Sequence, residues 1–178
     1  MNPVSKVLII QTAFLGDAVL VTSLLEKIRL ESPETAIHLL VRKGNESIFQ
    51  AYTHPCLERV WTYDKSNKRA SWIDLRTNLK QESFDKVFVV QRFFGMGLLS
   101  LMIGAKQVFG FAKNPLSWFF TKACPHPFGN GIHEVERNTA LLSDWLGEKV
   151  YKPFLNPTQV LTPAKNYICI SPGSVWET

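Results

Sequence analysis

The beginning of the chain alternates short apolar runs with one amphipathic stretch. Lys6–Gln11 is apolar, rich in β-branched residues and bounded by polar positions, as is typical of a buried parallel strand. Apolar residues then recur at helical spacing from Ala18 to Ile28, until Ser32 and Pro33 end the pattern. Residues 36–41 form a second apolar run. The pattern therefore predicts a strand, a helix and a strand.

The same alternation continues through most of the chain. It predicts strands at 59–63, 87–90 and 106–109, helices at 72–79, 95–103 and 133–146, and a polar, basic loop at 66–71. Gly147 stands where a helix C-terminus favours glycine. Strands that alternate with helices indicate an α/β fold, a Rossmann-like doubly wound parallel sheet.

Prolines mark a predicted domain boundary near the C-terminus. Residues 152–166 contain Pro153, Pro157 and Pro163 and are interpreted as a linker, so residues 1–151 form the predicted first domain. Residues 167–178 begin a new strand and turn. Because one strand cannot form a core of its own, we interpret the chain as part of a longer, two-domain protein.

Composition narrows the class of protein. With 46% hydrophobic and 20% charged residues, the chain is typical of globular proteins rather than disordered or fibrous ones. We expect a cytoplasmic location, since no apolar run has the roughly 20 residues of a membrane span and no signal peptide is evident. Three scattered cysteines fit a reducing compartment. The net charge of +5 suits an anionic partner, whether nucleic acid, phosphorylated sugar or an acidic membrane face.

Asp17 is the main candidate for chemistry. It follows the first predicted strand, at the edge where open α/β sheets place their ligands. Position alone favours a helix cap for Asp17, but a helix N-terminus also holds a carboxylate ionised, so both roles are compatible. Because the turn offers only Gly16, the glycine patterns of Rossmann and P-loop nucleotide sites are missing there.

Several short motifs, taken in order, carry a resemblance to a known family. They are Val7-Leu8-Ile9-Ile10, Leu15-Gly16-Asp17-Ala18, Phe84-Asp85-Lys86-Val87, Gly110-Phe111, His133-Glu134-Val135-Glu136-Arg137-Asn138 and Ser171-Pro172-Gly173-Ser174. Together they resemble the bacterial lipopolysaccharide heptosyltransferases of glycosyltransferase family 9 over nearly the whole chain. The resemblance implies the N-terminal half of a GT-B fold, in which an acceptor-binding domain faces a nucleotide-sugar-binding domain. It also implies inversion of the sugar without a metal or other cofactor.

The resemblance assigns roles to individual residues. Asp17 matches the catalytic base, and Gly173 and Ser174 match the turn that contacts the nucleotide diphosphate. Gly16, His133 and Arg137 are expected to bind the acceptor. Independently of the resemblance, the charge of Lys43, Lys65, Lys68, Arg69, Arg92 and Lys113 suits a phosphorylated acceptor sugar. For the lysines the alternative is ordinary solvated surface charge, and for His133 it is capping or packing of the helix start. His133 and Arg137 are four residues apart on one helix face.

The expected reaction transfers heptose from ADP-heptose to the phosphorylated lipopolysaccharide inner core, at the inner face of the inner membrane. We expect this chain to be inactive without its donor half. Peripheral membrane contact is an open expectation, which an exposed aromatic cluster at Trp118 would favour. The alternatives are a non-catalytic flavodoxin-like module that binds a phosphorylated ligand or partner, and a GT-B enzyme that uses another nucleotide sugar. Nucleic-acid binding is disfavoured because no recognition motif accompanies the charge.

Two Cys-His pairs raise the question of a metal. His54-Pro55-Cys56 and Cys124-Pro125-His126 together would make a Cys2His2 set. The spacing within each pair is a single proline, which is not the usual zinc pattern. We therefore expect no metal site.

Overall fold

The structure, a computed structural model, describes residues 5–50, 54–127, 129–155 and residue 168. Its centre is a parallel sheet of six strands in the order β3-β2-β1-β4-β5-β6. The strands are β1 Lys6–Gln11, β2 Ala36–Arg42, β3 Leu57–Tyr63, β4 Lys86–Val89, β5 Gln107–Phe111 and β6 Lys122–Cys124. Since β1 pairs with both β2 and β4, the chain reverses its direction of winding between β1 and β4. That position is the topological switch point of the sheet.

Helices cover both faces of the sheet. They are α1 Leu15–Leu20, α2 Thr22–Glu31, α3 Ser47–Gln50, α4 Lys68–Gln81, α5 Phe94–Met102, α6 Glu134–Thr139 and α7 Ser143–Leu146, with 3-10 turns at Ser117–Phe119 and Ala140–Leu142. The sheet thus separates two cores, one with the apolar residues of α1 and α2 and one with those of α4 and α5. The predicted doubly wound, Rossmann-like α/β fold is confirmed.

The first strand shows why its sequence is uniformly apolar. Successive side chains of a strand point to opposite faces. Val7 and Ile9 accordingly lie in the α1–α2 core, whereas Leu8 and Ile10 lie in the α4–α5 core. A strand covered on both faces has no polar side, and β1 begins and ends where it was predicted.

The prediction of a single first helix is wrong in one respect, because the segment forms two helices. α1 ends at Leu20 and α2 begins at Thr22, with Val21 between them. The hydroxyl of Thr22 donates to the Val19 carbonyl at 2.7 Å, and that of Ser23 to the Leu20 carbonyl at 2.8 Å. Such local side-chain bonds compete with the regular helix pattern and explain the break.

The loop predicted at 66–71 is also wrong, since α4 begins at Lys68. The Ser71 amide donates to the Asn67 carbonyl at 3.1 Å, and the Ser71 hydroxyl accepts from the Asp64 amide at 2.9 Å. Basic residues in a first helical turn oppose the helix dipole, which is why the sequence pattern there resembled a loop. Lys68 and Arg69 are therefore helical.

Other differences are local. The helix predicted at 133–146 is divided into α6, a 3-10 turn and α7, and it ends as expected at Gly147, whose φ is 70°. The short elements α3 and β6 were not predicted. Most of the predicted linker and nearly all of residues 167–178 lie outside the described residues, so the domain boundary stays a prediction.

Candidate functional site

A cavity of about 510 Å³ opens where β1 and β4 end. This is the switch-point edge, at which open α/β sheets bind ligands. Its ionisable lining consists of Asp17, Lys65, Arg92, His126 and Glu134. These residues come from four separate segments of the chain, and we call the space they enclose the Asp17 cavity. The lining thus includes two carboxylates and two cationic side chains, together with the rings of Phe14, Phe93 and Phe111.

Asp17 is held in place by its own helix. It is the third residue of α1, and its Oδ2 accepts a hydrogen bond from the Phe14 amide at 3.1 Å. Asp17 thus takes part in capping, but from inside the first turn rather than from the N-cap position, which Phe14 occupies. It is partly exposed and also lines the cavity. The capping contact therefore leaves the Asp17 side chain at the cavity wall.

A buried amide pair supports the turn that carries Asp17. The side chains of Gln11 and Gln91 contact each other at 2.9 Å, and the Gln91 amide contacts the Thr12 hydroxyl at 2.9 Å. Gln11 donates to the Val90 carbonyl at 3.2 Å. The ends of β1 and β4 are therefore locked together beneath the cavity.

The opposite wall is built around Glu134. Arg137 donates to Glu134 Oε2 from Nε and Nη2, at 2.9 and 2.6 Å. Glu134 Oε1 lies 3.9 Å from Nε2 of His126, whose ring meets the Phe111 ring edge-on at a centroid distance of 4.4 Å. Burial lowers the pKa of His126, against the opposing effect of Glu134.

Among the predicted basic residues, Arg92 lines the Asp17 cavity. Lys43 instead borders a different cavity of about 440 Å³ at β3 and α4, where its ammonium lies 2.7 Å from Asp64. Lys68, Arg69 and Lys113 are exposed and do not line the Asp17 cavity. The structure therefore brings Asp17, Lys65 and Arg92 together at one cavity, which the other four basic residues do not line. Acceptor roles for those four stay predictions.

His133 has a structural role that the alternative interpretation anticipated. It is the N-cap of α6, and its Nδ1 accepts from the Val135 amide at 3.2 Å. Glu136 completes the capping box by accepting from the His133 amide at 3.0 Å. Arg137 is not among the residues that line the Asp17 cavity, but it orients Glu134, which is. Whether His133 also binds an acceptor stays a prediction.

The remaining predicted site residues are Gly16 and the two donor-side residues Gly173 and Ser174. A Cβ on Gly16 would meet nothing within 4 Å, so the space beside Asp17 is open at this position. Gly173 and Ser174 lie outside the described residues. Lys65, one of the predicted basic residues, lines the Asp17 cavity. His126 and Glu134 were not predicted as site residues, and the sequence signal for them was a titratable side chain near a predicted helix start.

The two Cys-His pairs do not form one site. Cys56 precedes β3 and Cys124 ends β6, so in a parallel sheet they lie at opposite edges. The Cys56 thiol donates to the Pro33 carbonyl at 3.3 Å, and His54 Nε2 lies 3.7 Å from Glu26 Oε1. Within residues 5–50, 54–127 and 129–155, no group of three or more potential ligands could hold a metal ion.

Comparison with known proteins identifies the fold. No protein-family profile and no curated protein sequence matches the chain. Solved structures do match, among them the Escherichia coli heptosyltransferase WaaC with ADP, at 20% identity and a TM-score of 0.65. The chain has the Rossmann-like fold of one half of a GT-B glycosyltransferase. This fold also relates it to a family 9 glycosyl transferase from Veillonella parvula, at 19% identity and a TM-score of 0.69.

The likeness covers most of this chain but only part of its relatives. The match to E. coli ADP-heptose lps heptosyltransferase II, at 17% identity and a TM-score of 0.67, covers 88% of this chain and 47% of that one. The WaaC match covers 81% and 48%, and the V. parvula match 82% and 42%. The chain thus spans about half the length of these glycosyltransferases. At such low identities the likeness establishes the fold, as the sequence resemblance predicted.

Proposed function

We propose that residues 1–151 are the acceptor-binding half of an inverting, metal-independent glycosyltransferase that transfers heptose from ADP-heptose to the lipopolysaccharide inner core. The observation that carries this proposal is the position of Asp17, whose carboxylate lines the switch-point cavity of a heptosyltransferase-like fold. The ADP named with the WaaC structure supports a nucleotide-sugar donor. Donor contacts are assigned to residues 167–178, including Gly173 and Ser174, and to what would follow them.

In the proposed reaction Asp17 is the general base. An acceptor hydroxyl attacks the anomeric carbon from the face opposite the leaving group, the bond to the ADP oxygen breaks, and the hydroxyl proton passes to the Asp17 carboxylate. A carboxylate is a weak base, so the proton moves late, as the new bond forms. The Phe14 amide bond fixes the carboxylate, and orientation contributes more than basicity.

The charges around Asp17 suit a phosphorylated sugar. Arg92 and Lys65 supply positive charge on the cavity wall, and burial lowers the pKa of Lys65, reinforced by the nearby charges of Arg42 and Lys68. An anionic group would relieve that repulsion on binding. The Glu134 carboxylate, oriented by Arg137, is placed to accept hydrogen bonds from sugar hydroxyls. Lys68 and Arg69, both exposed, are proposed to contact outer parts of a large anionic acceptor, as is Lys113.

The test is a transfer assay with the full-length protein that contains this chain, using ADP-heptose and a phosphorylated inner-core acceptor. We expect ADP release, a product of inverted anomeric configuration, and the same rate in EDTA. We also expect Arg92→Gln to raise KM for the phosphorylated acceptor by roughly tenfold or more and to change KM little for its dephosphorylated form, since a charge-assisted hydrogen bond contributes about 1.5–3 kcal/mol. The exposed, distant Lys106→Gln is the matched control.

Three results would count against parts of the proposal. Retention of configuration would exclude direct displacement with Asp17 as base. Transfer from another nucleotide sugar but not from ADP-heptose would refute the donor. Tight binding of a phosphorylated ligand without any transfer by the full-length protein would favour the non-catalytic alternative.

A further inference from the structure

Two helices that border the Asp17 cavity begin with a phenylalanine. Phe14 is the N-cap residue of α1 and Phe93 that of α5, and both side chains line the cavity. Helices favour Ser, Thr, Asp or Asn at this position, because a side-chain oxygen accepts a hydrogen bond from a free amide of the first turn. A phenyl ring has no such oxygen, whereas the ring nitrogen of His133 does cap α6. Helix capping therefore does not explain a phenylalanine at either position.

Burial does not explain the two rings either. The exposed fraction is 55% for Phe14 and 63% for Phe93, so more than half of each side chain is open to solvent. A single exposed phenylalanine is ordinary. Two of them at one cavity, each at a backbone position that favours a polar residue, break a local rule of stability in the same place. Such departures are expected at functional sites, so both rings are candidates for contact with a ligand.

The backbone of each phenylalanine is fixed by hydrogen bonds. The Phe14 amide donates to Asp17 Oδ2 at 3.1 Å, and the Phe93 carbonyl accepts from Nδ2 of the buried Asn114 at 3.1 Å. The guanidinium carbon of Arg42 lies 5.8 Å from the centroid of the Phe14 ring, within the range of a cation–π contact. A ligand in the cavity thus meets two rings whose backbone need not reorganise on binding, which lowers the cost of binding.

A sugar ring matches this combination of groups. The hydroxyls of a pyranose form hydrogen bonds, for which the carboxylates of Asp17 and Glu134 are acceptors on the cavity wall. The C–H bonds between those hydroxyls make an apolar face with weakly positive hydrogens. The face of a phenyl ring is negative and apolar, so it attracts that side of the sugar. Aromatic walls with a few placed polar groups are typical of small-molecule sites.

We propose that Phe14 and Phe93 bind the apolar face of the acceptor's sugar ring and so fix its orientation beside Asp17. This inference rests on the proposed function, because it takes the acceptor sugar as the ligand of the Asp17 cavity. The cationic side chains of the cavity attract a phosphate, whereas the two rings favour a phosphate that is carried on a sugar. An adenine base would also stack on a phenyl ring, but the proposed donor contacts lie in residues 167–178 and beyond.

Other exposed aromatic side chains lie outside the cavity. Trp118 is 93% exposed and Phe119 is 71% exposed, and neither lines the Asp17 cavity. Peripheral membrane contact through them stays a prediction, and in the described part of the chain no helix is long and apolar enough to cross a membrane. Phe119 resembles Phe93 in type and exposure but not in position, so it supplies a matched control.

The test measures binding of a soluble, deacylated, phosphorylated inner-core saccharide to the full-length protein by isothermal titration calorimetry. In Phe93→Ser the dissociation constant should rise about 3- to 10-fold, the effect of losing one aromatic contact. Because serine is a better N-cap, the melting temperature should stay at or above that of the wild type. Phe93→Tyr keeps the ring and should bind like the wild type. Phe119→Ser should leave the dissociation constant unchanged.

Phe14→Leu separates stacking from charge. It keeps an apolar side chain without a ring, and binding should weaken by the same factor in low and high salt, because ions screen charges and not stacking. In the transfer assay both Phe14→Leu and Phe93→Ser should raise KM for the saccharide and leave KM for ADP-heptose unchanged.

Four outcomes would overturn the proposal. Saccharide binding by the wild type that neither Phe14→Leu nor Phe93→Ser weakens would refute it and leave the proposed function intact. A higher KM for ADP-heptose alone would assign the rings to the nucleotide base. A lower melting temperature of Phe93→Ser with unchanged binding would make that ring a packing element. No saccharide binding by the wild type would refute both this proposal and the proposed function.

Discussion

Gly110 in β5 is the position where we expect one added methyl group to disturb the sheet strongly. A Cβ there would lie 2.4 Å from Cε2 and 2.8 Å from Cδ2 of Phe120, whereas carbon atoms pack at about 3.5–4.0 Å. The backbone cannot retreat, because Gly110 pairs with Val89 of β4 on one side and Ala123 of β6 on the other. The Phe120 ring must therefore move within a filled core.

The expected loss in the free energy of unfolding follows from the overpacking that the added methyl group causes. Overpacking a core by a methyl group costs about 1–3 kcal/mol, and we expect Gly110→Ala to lower the free energy of unfolding by that amount. Phe120→Ala alone should cost about 3–5 kcal/mol, through lost burial and a cavity. In the double variant the new methyl group points into that cavity, so the combined loss should be smaller than the sum by about 1 kcal/mol or more.

Urea unfolding followed by circular dichroism measures these differences. The midpoint should fall in Gly110→Ala with little change in the denaturant dependence of the free energy. Gly95→Ala is the control, since a Cβ at this position in α5 would meet nothing within 4 Å. A Gly110→Ala variant as stable as the wild type, or strictly additive effects in the double variant, would refute the packing argument. The same contact gives a physical reason for the Gly110-Phe111 motif.

Two further predictions concern stability. The fully buried Lys27 ammonium donates to the Lys149 carbonyl at 2.8 Å and to Glu31 at 3.2 Å, so Lys27→Met should lower the free energy of unfolding by about 1–3 kcal/mol. Hydrogen exchange of the Phe154 amide, which is bonded to the Thr22 hydroxyl nearby, should become faster, and unchanged exchange would contradict the link. Burial lowers the pKa of His38, His54 and His126, so the unfolded chain takes up protons first and stability should be lost as pH falls below about 6.5. A urea midpoint at pH 5.5 equal to that at pH 7.5 would contradict this.

The elements that were predictable from sequence are those whose signal is local. β1 is recognisable because burial on both faces makes its four central residues, Val7 to Ile10, apolar. Gly147 is recognisable because its positive φ favours glycine. β6 was missed because it has three residues and is formed only by pairing with the end of β5. Tertiary pairing, rather than any local pattern, creates that strand.

Part of the site was predictable from the sequence. Asp17 was singled out because it lies in the turn region after β1 and matches the catalytic base of the family that the motifs resemble, and Lys65 and Arg92 were singled out for their charge. Lys65, His126 and Glu134 join it only because the crossovers of a parallel sheet return the chain repeatedly to one edge. Lys43 also follows a strand, but its bond to Asp64 lies at a different cavity. The order of strands in the sheet decides which strand ends meet at the Asp17 cavity. The sequence pattern did not specify that order.

The central claim is that Asp17 removes the acceptor proton, and single-turnover kinetics of Asp17→Asn in the full-length protein test it most directly. Asparagine retains an oxygen for the Phe14 amide and is a good helix-capping residue, so the melting temperature should stay within a few degrees of the wild type. With enzyme in excess, the account predicts that the transfer rate falls about 10²- to 10⁴-fold while the dissociation constant for ADP-heptose is unchanged. Asp144→Asn, which alters an exposed carboxylate paired with Lys122, should transfer at the wild-type rate. A transfer rate for Asp17→Asn within a few-fold of the wild type would contradict the account.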